Sequence, residues 1–206
     1  CRDWSSDVCS SDLADSETSR TMAERTPGRV RWFSLREDVE GCFVTNRGSG
    51  RQIYLRHDGG EIALCPTSAV QLRGEHNLQN ICAAAAAASG AGAEPDAIHD
   101  AVTAFQGLEH RLEFAGEVGG IKYFDDSFAT TPEASSVALR AFQEPVVLIA
   151  GGADKGSDYR PFAETILAGN VRAVVFIGAT GPAIRRTLEE TAAETKQALP
   201  RLVEGP

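Results

Sequence analysis

Residues 107–132 begin with Gly-Leu-Glu-His-Arg-Leu-Glu-Phe and end with Phe-Asp-Asp-Ser-Phe-Ala-Thr-Thr-Pro at positions 124–132. Residues 120–124, which lead into the second run, form a short segment rich in apolar residues, which predicts a β-strand. Acidic and hydroxyl side chains begin where that strand ends. In α/β proteins, polar groups at the carboxyl ends of strands are typical of ligand and catalytic sites. The stretch therefore predicts a functional site within an α/β fold.

The sequence after this stretch alternates between strands and helices. Residues 146–150 and 171–177 are largely apolar runs, and residues 159–167 and 178–198 follow them with turn and helix patterns. Apolar strands that alternate with helices are typical of a parallel, doubly wound sheet. We predict an α/β domain with a mostly parallel sheet that starts near residue 108.

The sequence before the stretch has a different pattern. Two consecutive helices are predicted, one from the alanine-rich run after His76 and one from Glu94 onward. Upstream of them, short segments with β-branched or aromatic residues are separated by glycine-rich turns, which predicts one strand followed by an antiparallel meander. These segments are residues 29–35, 42–46, 52–56 and 61–64.

The first thirteen residues need separate treatment. Residues 3–13, Asp-Trp-Ser-Ser-Asp-Val-Cys-Ser-Ser-Asp-Leu, back-translate onto a DNA adapter that is commonly ligated to sequencing libraries. We therefore expect residues 1–13 to be an adapter artefact and leave them out of the fold prediction. A genuine polar N-terminus is the alternative. With the artefact interpretation, the natural protein continues upstream of Ala14.

The composition is that of an ordinary globular protein, with 206 residues of which 42% are hydrophobic and 24% charged. A formal net charge of -9 disfavours sequence-independent nucleic-acid binding. The apolar run at residues 81–88 is too short to cross a bilayer. Cys42, Cys65 and Cys82 are isolated and form no Cys-x-x-Cys pair, which predicts reduced thiols and a cytoplasmic location.

The two runs quoted above, together with Gly-Gly-Ala-Asp-Lys-Gly at residues 151–156, resemble the Mur ligases, the ATP-dependent amino-acid ligases of peptidoglycan synthesis. The resemblance is to the D-glutamate-adding branch, because other branches commonly have a histidine in the motif that ends at Pro132. It implies ligation of D-glutamate to UDP-N-acetylmuramoyl-L-alanine through an acyl phosphate. It also implies that residues 14–107 are the late part of a central ATP-binding domain and residues 108–206 an incomplete C-terminal ligase domain. We expect a monomer without nucleic-acid or membrane partners.

Parts of the machinery that this resemblance implies are not found in the 206 residues. No Gly-x-x-x-x-Gly-Lys-Ser/Thr phosphate loop occurs in the sequence. The resemblance places the Mg²⁺ ligands, including a modified lysine, upstream of Ala14, and a further strand with a serine-containing loop beyond Pro206. We therefore predict that the chain alone is catalytically inactive.

The first candidate site pair is Asn77 and Asn80, which lie one turn apart on a predicted helix. Their amides offer donors and acceptors to a purine edge, whereas an N-cap by Asn77 with Asn80 in solvent is the simpler interpretation. The resemblance assigns Asn80 to the adenine of ATP.

The second candidate pair is His110 and Arg111. A guanidinium can bind phosphate oxygens in a bidentate way and neutralise charge during phosphoryl transfer, whereas a salt bridge from Arg111 to Glu109 or Glu113 is the alternative. The resemblance gives Arg111 a catalytic role on the phosphates of ATP. It places His110 in the same nucleotide site, where it orients Arg111 or packs the hinge.

The third candidate group follows the predicted strand. The adjacent aspartates at positions 125 and 126 alternate faces, so they do not form an acid/base couple, and one of them could cap the next helix. The resemblance assigns Asp126 to the ribose of the nucleotide and Thr130 to the substrate carboxylate. Phe128 stands where many relatives have a lysine for the carboxylate or the acyl phosphate. Another cation, with Lys122 as one candidate, must then supply that charge, or the substrate differs.

The fourth candidate is the glycine-rich loop after the first apolar strand, whose spacing fits neither the dinucleotide nor the P-loop pattern. The resemblance places Lys155 at the acyl end of the substrate, where it would stabilise the tetrahedral intermediate. An exposed turn lysine is the alternative.

Two other functions stay open at this point. A nucleotide-binding module that uses Asn80, Arg111 and Asp126 without turnover predicts a start codon near Ala14 and nucleotide binding by the chain. Another ligase of the same superfamily, which adds L-alanine, a diamino acid or glutamyl units to a folate, predicts the histidine that residues 127–132 lack. A dehydrogenase fits least well because of the glycine spacing.

Overall fold

The computed structural model of the chain describes residues 9–48, 50–57 and 59–205, with side chains from residue 13 onward. The chain separates into two compact units between Gln106 and Gly107. Residues 1–8 of the predicted adapter segment lie outside the described residues. Among the described residues, no helix combines the length and apolar character that crossing a membrane requires.

The first unit is built on a five-stranded sheet in the order β1-β2-β3-β4-β5. Strands β1, β2 and β3 pair in parallel, and β3, β4 and β5 form an antiparallel meander, as the sequence predicts for this region. The elements are β1 (Cys9–Leu13), α1 (Glu17–Ala23), β2 (Arg29–Ser34), β3 (Gly41–Asn46), β4 (Arg51–His57), β5 (Gly60–Pro66), a 3-10 helix (Thr67–Ala69), α2 (Glu75–Gly90) and α3 (Pro95–Ala104).

Strand β1 lies within residues 1–13, which we interpret as an adapter artefact. It pairs with β2, and the pairing starts with Cys9 opposite Arg29. Strand pairing uses backbone N–H and C=O groups that every residue except proline offers. The pairing therefore does not distinguish an adapter-encoded segment from a natural one, and the interpretation stays a prediction. After β1, the Asp15 carboxylate accepts hydrogen bonds from Ser34 Oγ at 2.6 Å and Leu35 N at 3.1 Å.

Helix α2 covers one face of this sheet, and its alanines allow a close approach to the strands. Buried strand residues such as Ile53 and Leu55 pack against buried helix residues such as Ile81. Cys42 and Cys82 belong to the same core and are free thiols. A hydrogen bond with Cys82 and burial raise the pKa of the Cys42 thiol well above its usual value, so this thiol stays protonated and unreactive.

The second unit combines a hairpin with a parallel sheet. Strands β6 and β7 pair antiparallel, and β10, β9 and β8 form an all-parallel sheet in that order. The predicted α/β class with a mostly parallel sheet is confirmed. The elements are β6 (Glu113–Val118), β7 (Ile121–Asp125), α4 (Pro132–Leu139), β8 (Val146–Gly151), α5 (Arg160–Ala168), β9 (Val171–Ile177), α6 (Gly181–Thr195) and β10 (Arg201–Glu204).

The two faces of this parallel sheet differ. Val174 and Phe176 of β9 are buried against side chains of both α5 and α6. Because β8, β9 and β10 follow one another in one direction, right-handed crossovers place α5 and α6 on the same face. On the other face, the side chains of Val147 and Ile149 are each 65% exposed. In the described part of the chain, helices therefore cover one face of this sheet, whereas a doubly wound sheet has helices on both faces.

Candidate functional site

The loop at residues 108–112 is tied to the segment that follows β7. The His110 carbonyl accepts a hydrogen bond from Phe128 N at 3.1 Å, and Leu112 N donates to Asp126 Oδ1 at 3.0 Å. His110 and Leu112 have positive φ angles of 62° and 46°, a region that is costly for residues other than glycine. The hydrogen bonds hold both residues in that conformation, and they fix the direction in which Arg111 leaves the loop.

His110 also forms an ion pair across the hairpin. Its Nδ1 lies 2.8 Å from Asp125 Oδ2, and its backbone N donates to Glu113 Oε2 at 2.8 Å. The hydrogen bond and charge of Asp125 raise the pKa of His110. The hydrogen bond from His110, helped by one from Ser127 N, lowers the pKa of Asp125 to about 2. The second bond explains why the aspartate is perturbed so strongly although both groups are solvent-accessible.

The Arg111 side chain is exposed and lies on Phe128. The distance from Arg111 Cζ to the centre of the Phe128 ring is 4.9 Å. Among the described residues, no carboxylate forms an ion pair with Arg111, and Glu113 instead contacts His110. The predicted alternative of a salt bridge to Glu109 or Glu113 is therefore not found in this part of the chain. The guanidinium charge stays available for an anionic ligand.

The two adjacent aspartates have separate partners. Asp125 binds His110, and Asp126 accepts the Leu112 N–H. The N-cap of α4 is Thr131, whose Oγ1 accepts from Ala134 N at 3.3 Å, so neither aspartate caps that helix. Thr130, the predicted substrate ligand, is exposed beside this cap.

The asparagine pair lies in the first two turns of α2. The helix begins at Glu75 with Gly74 as its N-cap, so the interpretation of Asn77 as the N-cap is wrong. Asn77 Nδ2 donates to Arg73 O at 2.7 Å, and Asn77 Oδ1 accepts from Asn80 Nδ2 at 3.3 Å. The two amides share one helix face, as predicted from their spacing, and Asn80 is exposed there. Asn80 belongs to the first unit, and the other candidate residues belong to the second.

Lys155 lies on the loop that follows β8. Gly151 has φ 150°, and a Cβ at this position would lie 1.8 Å from the Ile177 carbonyl oxygen, so only glycine lets the chain leave the sheet here. Thr180 N donates to Gly152 O at 3.1 Å, which ties the loop to the start of α6. The Lys155 ammonium is exposed and has no ion-pair partner in the described part of the chain. Its charge is available, as an exposed turn lysine or as a ligand for an anion.

Three groups of the second unit have atoms suited to metal binding. His110, Glu113 and Asp125 each offer one such atom, and these lie within 4.8 Å of one another. His110 Nδ1 already makes a hydrogen bond with Asp125, and this carboxylate raises the pKa of His110. Mg²⁺ also prefers an octahedral set of oxygen ligands. The cluster therefore does not fit Mg²⁺ and is a histidine–carboxylate clamp.

A cavity of about 220 Å³ in the second unit lies elsewhere, near the amino ends of β8 and β9, with Val146 and Val171 in its lining. None of the predicted site residues lines it. Sites in parallel sheets form at the carboxyl ends of strands, where Lys155 lies, so we assign no function to this cavity.

The sequence patterns did not indicate two contacts of the site. The ion pair between His110 and Asp125 and the stacking of Arg111 on Phe128 both join residues that are distant in sequence. Their only sequence signal is the β6–β7 hairpin, which brings Glu113 opposite Asp125. Recognising that hairpin from the two glycines at its turn would have placed the two loops side by side.

Comparison with known proteins identifies relatives of both units. Residues 110–204 match the family described as "Mur ligase, glutamate ligase domain". The chain is 44% identical over 181 residues to "UDP-N-acetylmuramoylalanine--D-glutamate ligase" of Roseiflexus sp. (strain RS-1). It is 38% identical over 178 residues to the protein of the same name from Acidobacterium capsulatum. Both alignments cover 85% of this chain, and the chain spans 39% and 38% of the length of these relatives.

Solved structures share the fold. MurF from Acinetobacter baumannii has a TM-score of 0.64 at 16% identity, over 96% of this chain and 48% of that chain. MurC from Thermotoga maritima has a TM-score of 0.60 at 17% identity, over 93% of this chain and 47% of that chain. Folylpolyglutamate synthase from Mycobacterium tuberculosis, complexed with ADP and AMPPCP, has a TM-score of 0.55 at 18% identity, over 92% of this chain and 42% of that chain. At these identities, the likeness shows the fold alone.

Proposed function

We propose that this chain is part of a Mur-family ligase that uses ATP to join D-glutamate to UDP-N-acetylmuramoyl-L-alanine, because residues 110–204 match that family and the chain is 44% identical to a ligase of this name over 181 residues. The observation that carries the proposal is the state of Arg111. Its guanidinium is exposed, leaves a loop fixed by hydrogen bonds, and has no carboxylate partner in the described part of the chain. A fixed cation without a counter-ion is suited to the phosphate oxygens of a nucleotide.

The proposed reaction has two steps. A carboxylate oxygen of the UDP-linked substrate attacks the γ-phosphorus of ATP, the bond to ADP breaks, and an acyl phosphate forms. The amino group of D-glutamate then attacks the acyl carbon, loses a proton and expels inorganic phosphate, which leaves an amide. Neither step needs a covalent bond to the protein, so positioning and charge neutralisation supply most of the acceleration.

Several of the predicted site residues would share this work. Arg111 neutralises charge on the phosphates, and Lys155 stabilises the tetrahedral intermediate of the second step. Asn80 would bind the adenine, Asp126 the ribose and Thr130 the substrate carboxylate, as the family resemblance implies. Mg²⁺ would add further charge neutralisation, and we place its ligands outside these 206 residues. We place the reaction in the cytoplasm, where the UDP-linked substrate would be available.

A chimera tests the proposed substrates. Residues 14–205 replace the aligned segment of the Roseiflexus relative, and phosphate release is measured with ATP and UDP-N-acetylmuramoyl-L-alanine. We expect release that requires D-glutamate. Release with L-alanine or a diamino acid in place of D-glutamate would favour another ligase of the superfamily. Nucleotide binding without release would favour the binding module, and the 206-residue chain alone is predicted to release no phosphate.

The role of Arg111 is tested in the same chimera. Arg111→Ala should lower kcat/KM for ATP about a hundredfold or more, because a cation on the transferring phosphoryl group is lost. The control is Arg172→Ala, which removes an exposed arginine of β9 that likewise has no ion-pair partner among the described residues. Equal kinetics for the two variants would refute the phosphate role of Arg111.

A further inference from the structure

Phe128 is an aromatic residue whose apolar side chain is exposed to water, which is energetically unfavourable. Its side chain is 59% exposed, and it lies on a loop of polar residues. The backbone fixes this loop, because Phe128 N donates to His110 O at 3.1 Å and Thr130 N donates to Phe128 O at 2.9 Å. An apolar ring that is held in solvent and whose face meets a cation points to a role in placing that cation.

The contact between Arg111 and Phe128 is of the cation–π type. The distance of 4.9 Å from Cζ to the ring centre lies within the roughly 6 Å over which the ring attracts a guanidinium. A carboxylate partner would neutralise the arginine and use its N–H donors. A phenyl ring does neither, since it has no hydrogen-bond acceptor oxygen and no charge. Stacking therefore restricts the side chain and leaves the donors and the charge for an anion.

The same contact bears on the missing lysine at position 128. The guanidinium of Arg111, which we assign to phosphate oxygens, lies over the ring that stands in place of that lysine. Lys122 is not placed to do the same. It lies on β7 opposite Glu117, towards the far end of the strand from Asp125, about 10 Å away along the chain.

We propose that Phe128 is a positioning residue, which holds the Arg111 guanidinium by stacking so that its charge and donors face a phosphate group. The inference rests on the proposed phosphate role of Arg111. The two residues then act as one unit, and the aromatic ring, rather than a second cation, is what position 128 contributes.

The stacking itself is measured without any nucleotide. In the 206-residue chain, NMR signals of the Arg111 side chain, assigned by their loss in Arg111→Lys, should carry a ring-current shift from Phe128. Phe128→Leu should abolish this shift, and Phe128→Tyr should keep it. Tyr123→Leu is the matched control, because it removes another exposed aromatic residue, 52% exposed, from the neighbouring hairpin. A shift that survives in Phe128→Leu would overturn the proposal.

The function of the stacking is measured in the chimera described above. Phe128→Leu should lower kcat/KM for ATP about threefold to fivefold, Phe128→Tyr should restore it, and Tyr123→Leu should leave it unchanged. In an Arg111→Ala background, Phe128→Leu should have no further effect. If Arg111→Ala is impaired but Phe128→Leu is not, or if Phe128→Leu binds ATP more tightly, the positioning role is overturned while the proposed function stands. If Arg111→Ala itself has normal kinetics, the proposed function fails as well.

Discussion

At the scale of single residues, the site is a short loop whose unfavourable backbone conformation is offset by side-chain contacts. His110 and Leu112 adopt left-handed φ angles on either side of Arg111. The Asp125 carboxylate binds the imidazole of His110, and the Asp126 carboxylate accepts the backbone N–H of Leu112. The two aspartates thus contact different residues of the loop, and the loop direction depends on both.

The ion pair between His110 and Asp125 predicts a pH dependence. The pKa of Asp125 falls from its usual 3.8 to about 2, so its contribution to stability is present above pH 3.8 and is lost as the pH falls towards 2. The pKa of His110 lies above its usual 6.5, so its contribution is complete below that pH and is lost as the pH rises through the raised value. The clamp should be strongest between about pH 4 and pH 6.5.

An NMR titration of His110 in the 206-residue chain measures this directly. Asp125→Asn should return the pKa of His110 towards 6.5, because the hydrogen bond to a carboxylate and its charge are removed. Asp126→Asn is the control, since that carboxylate contacts Leu112 N. An unchanged pKa in Asp125→Asn would show that the clamp does not form in solution.

At the scale of elements, the strands that the sequence predicts best are those with the most burial. Strands β8 and β9 are apolar runs that pack against two helices, and their positions follow from composition alone. Strand β6 contains Gly116 and two glutamates, so its pattern is weak, and it forms because β7 offers a pairing partner. Thr131 and Pro132 are a typical N-cap and first residue of a helix, and they mark the start of α4. They also belong to the motif that we interpret as a functional site, so the helix start is not predicted from them.

The strand-to-loop turn after β8 predicts a steric requirement for glycine. Gly151 and Gly152 have the same φ of 150°, but an added Cβ meets the Ile177 carbonyl only at Gly151, and nothing within 4 Å at Gly152. Gly151→Ala should therefore lower the free energy of unfolding of the second unit by about 2 kcal/mol more than Gly152→Ala.

Denaturant unfolding followed by far-UV circular dichroism measures the difference between the two variants. Residues 107–206 contain no tryptophan and Trp32 lies in the first unit, so tryptophan fluorescence should report the same midpoint for both variants. Equal losses of stability from the two substitutions would contradict the steric explanation.

At the scale of the whole molecule, the chain consists of two units with separate cores. The fold class and the residue types of the site follow from the sequence, because apolar runs and a resemblance in short motifs carry them. The contacts do not follow, since stacking of Arg111 on Phe128 depends on how two loops meet at the end of a hairpin. Comparison of short motifs finds no lysine at position 128, and it cannot detect that the Arg111 guanidinium lies over the Phe128 ring.

The acyl-phosphate mechanism is tested most directly by isotope transfer in the chimera. UDP-N-acetylmuramoyl-L-alanine labelled with ¹⁸O in its carboxylate is incubated with ATP and D-glutamate, and the released phosphate is analysed by mass spectrometry. Transfer of one labelled oxygen to each phosphate is expected, because the carboxylate oxygen that attacks ATP leaves with the phosphate when the amide forms. Unlabelled phosphate, or amide formation without phosphate release, would contradict our proposal that this chain is part of an ATP-dependent ligase that forms an acyl phosphate.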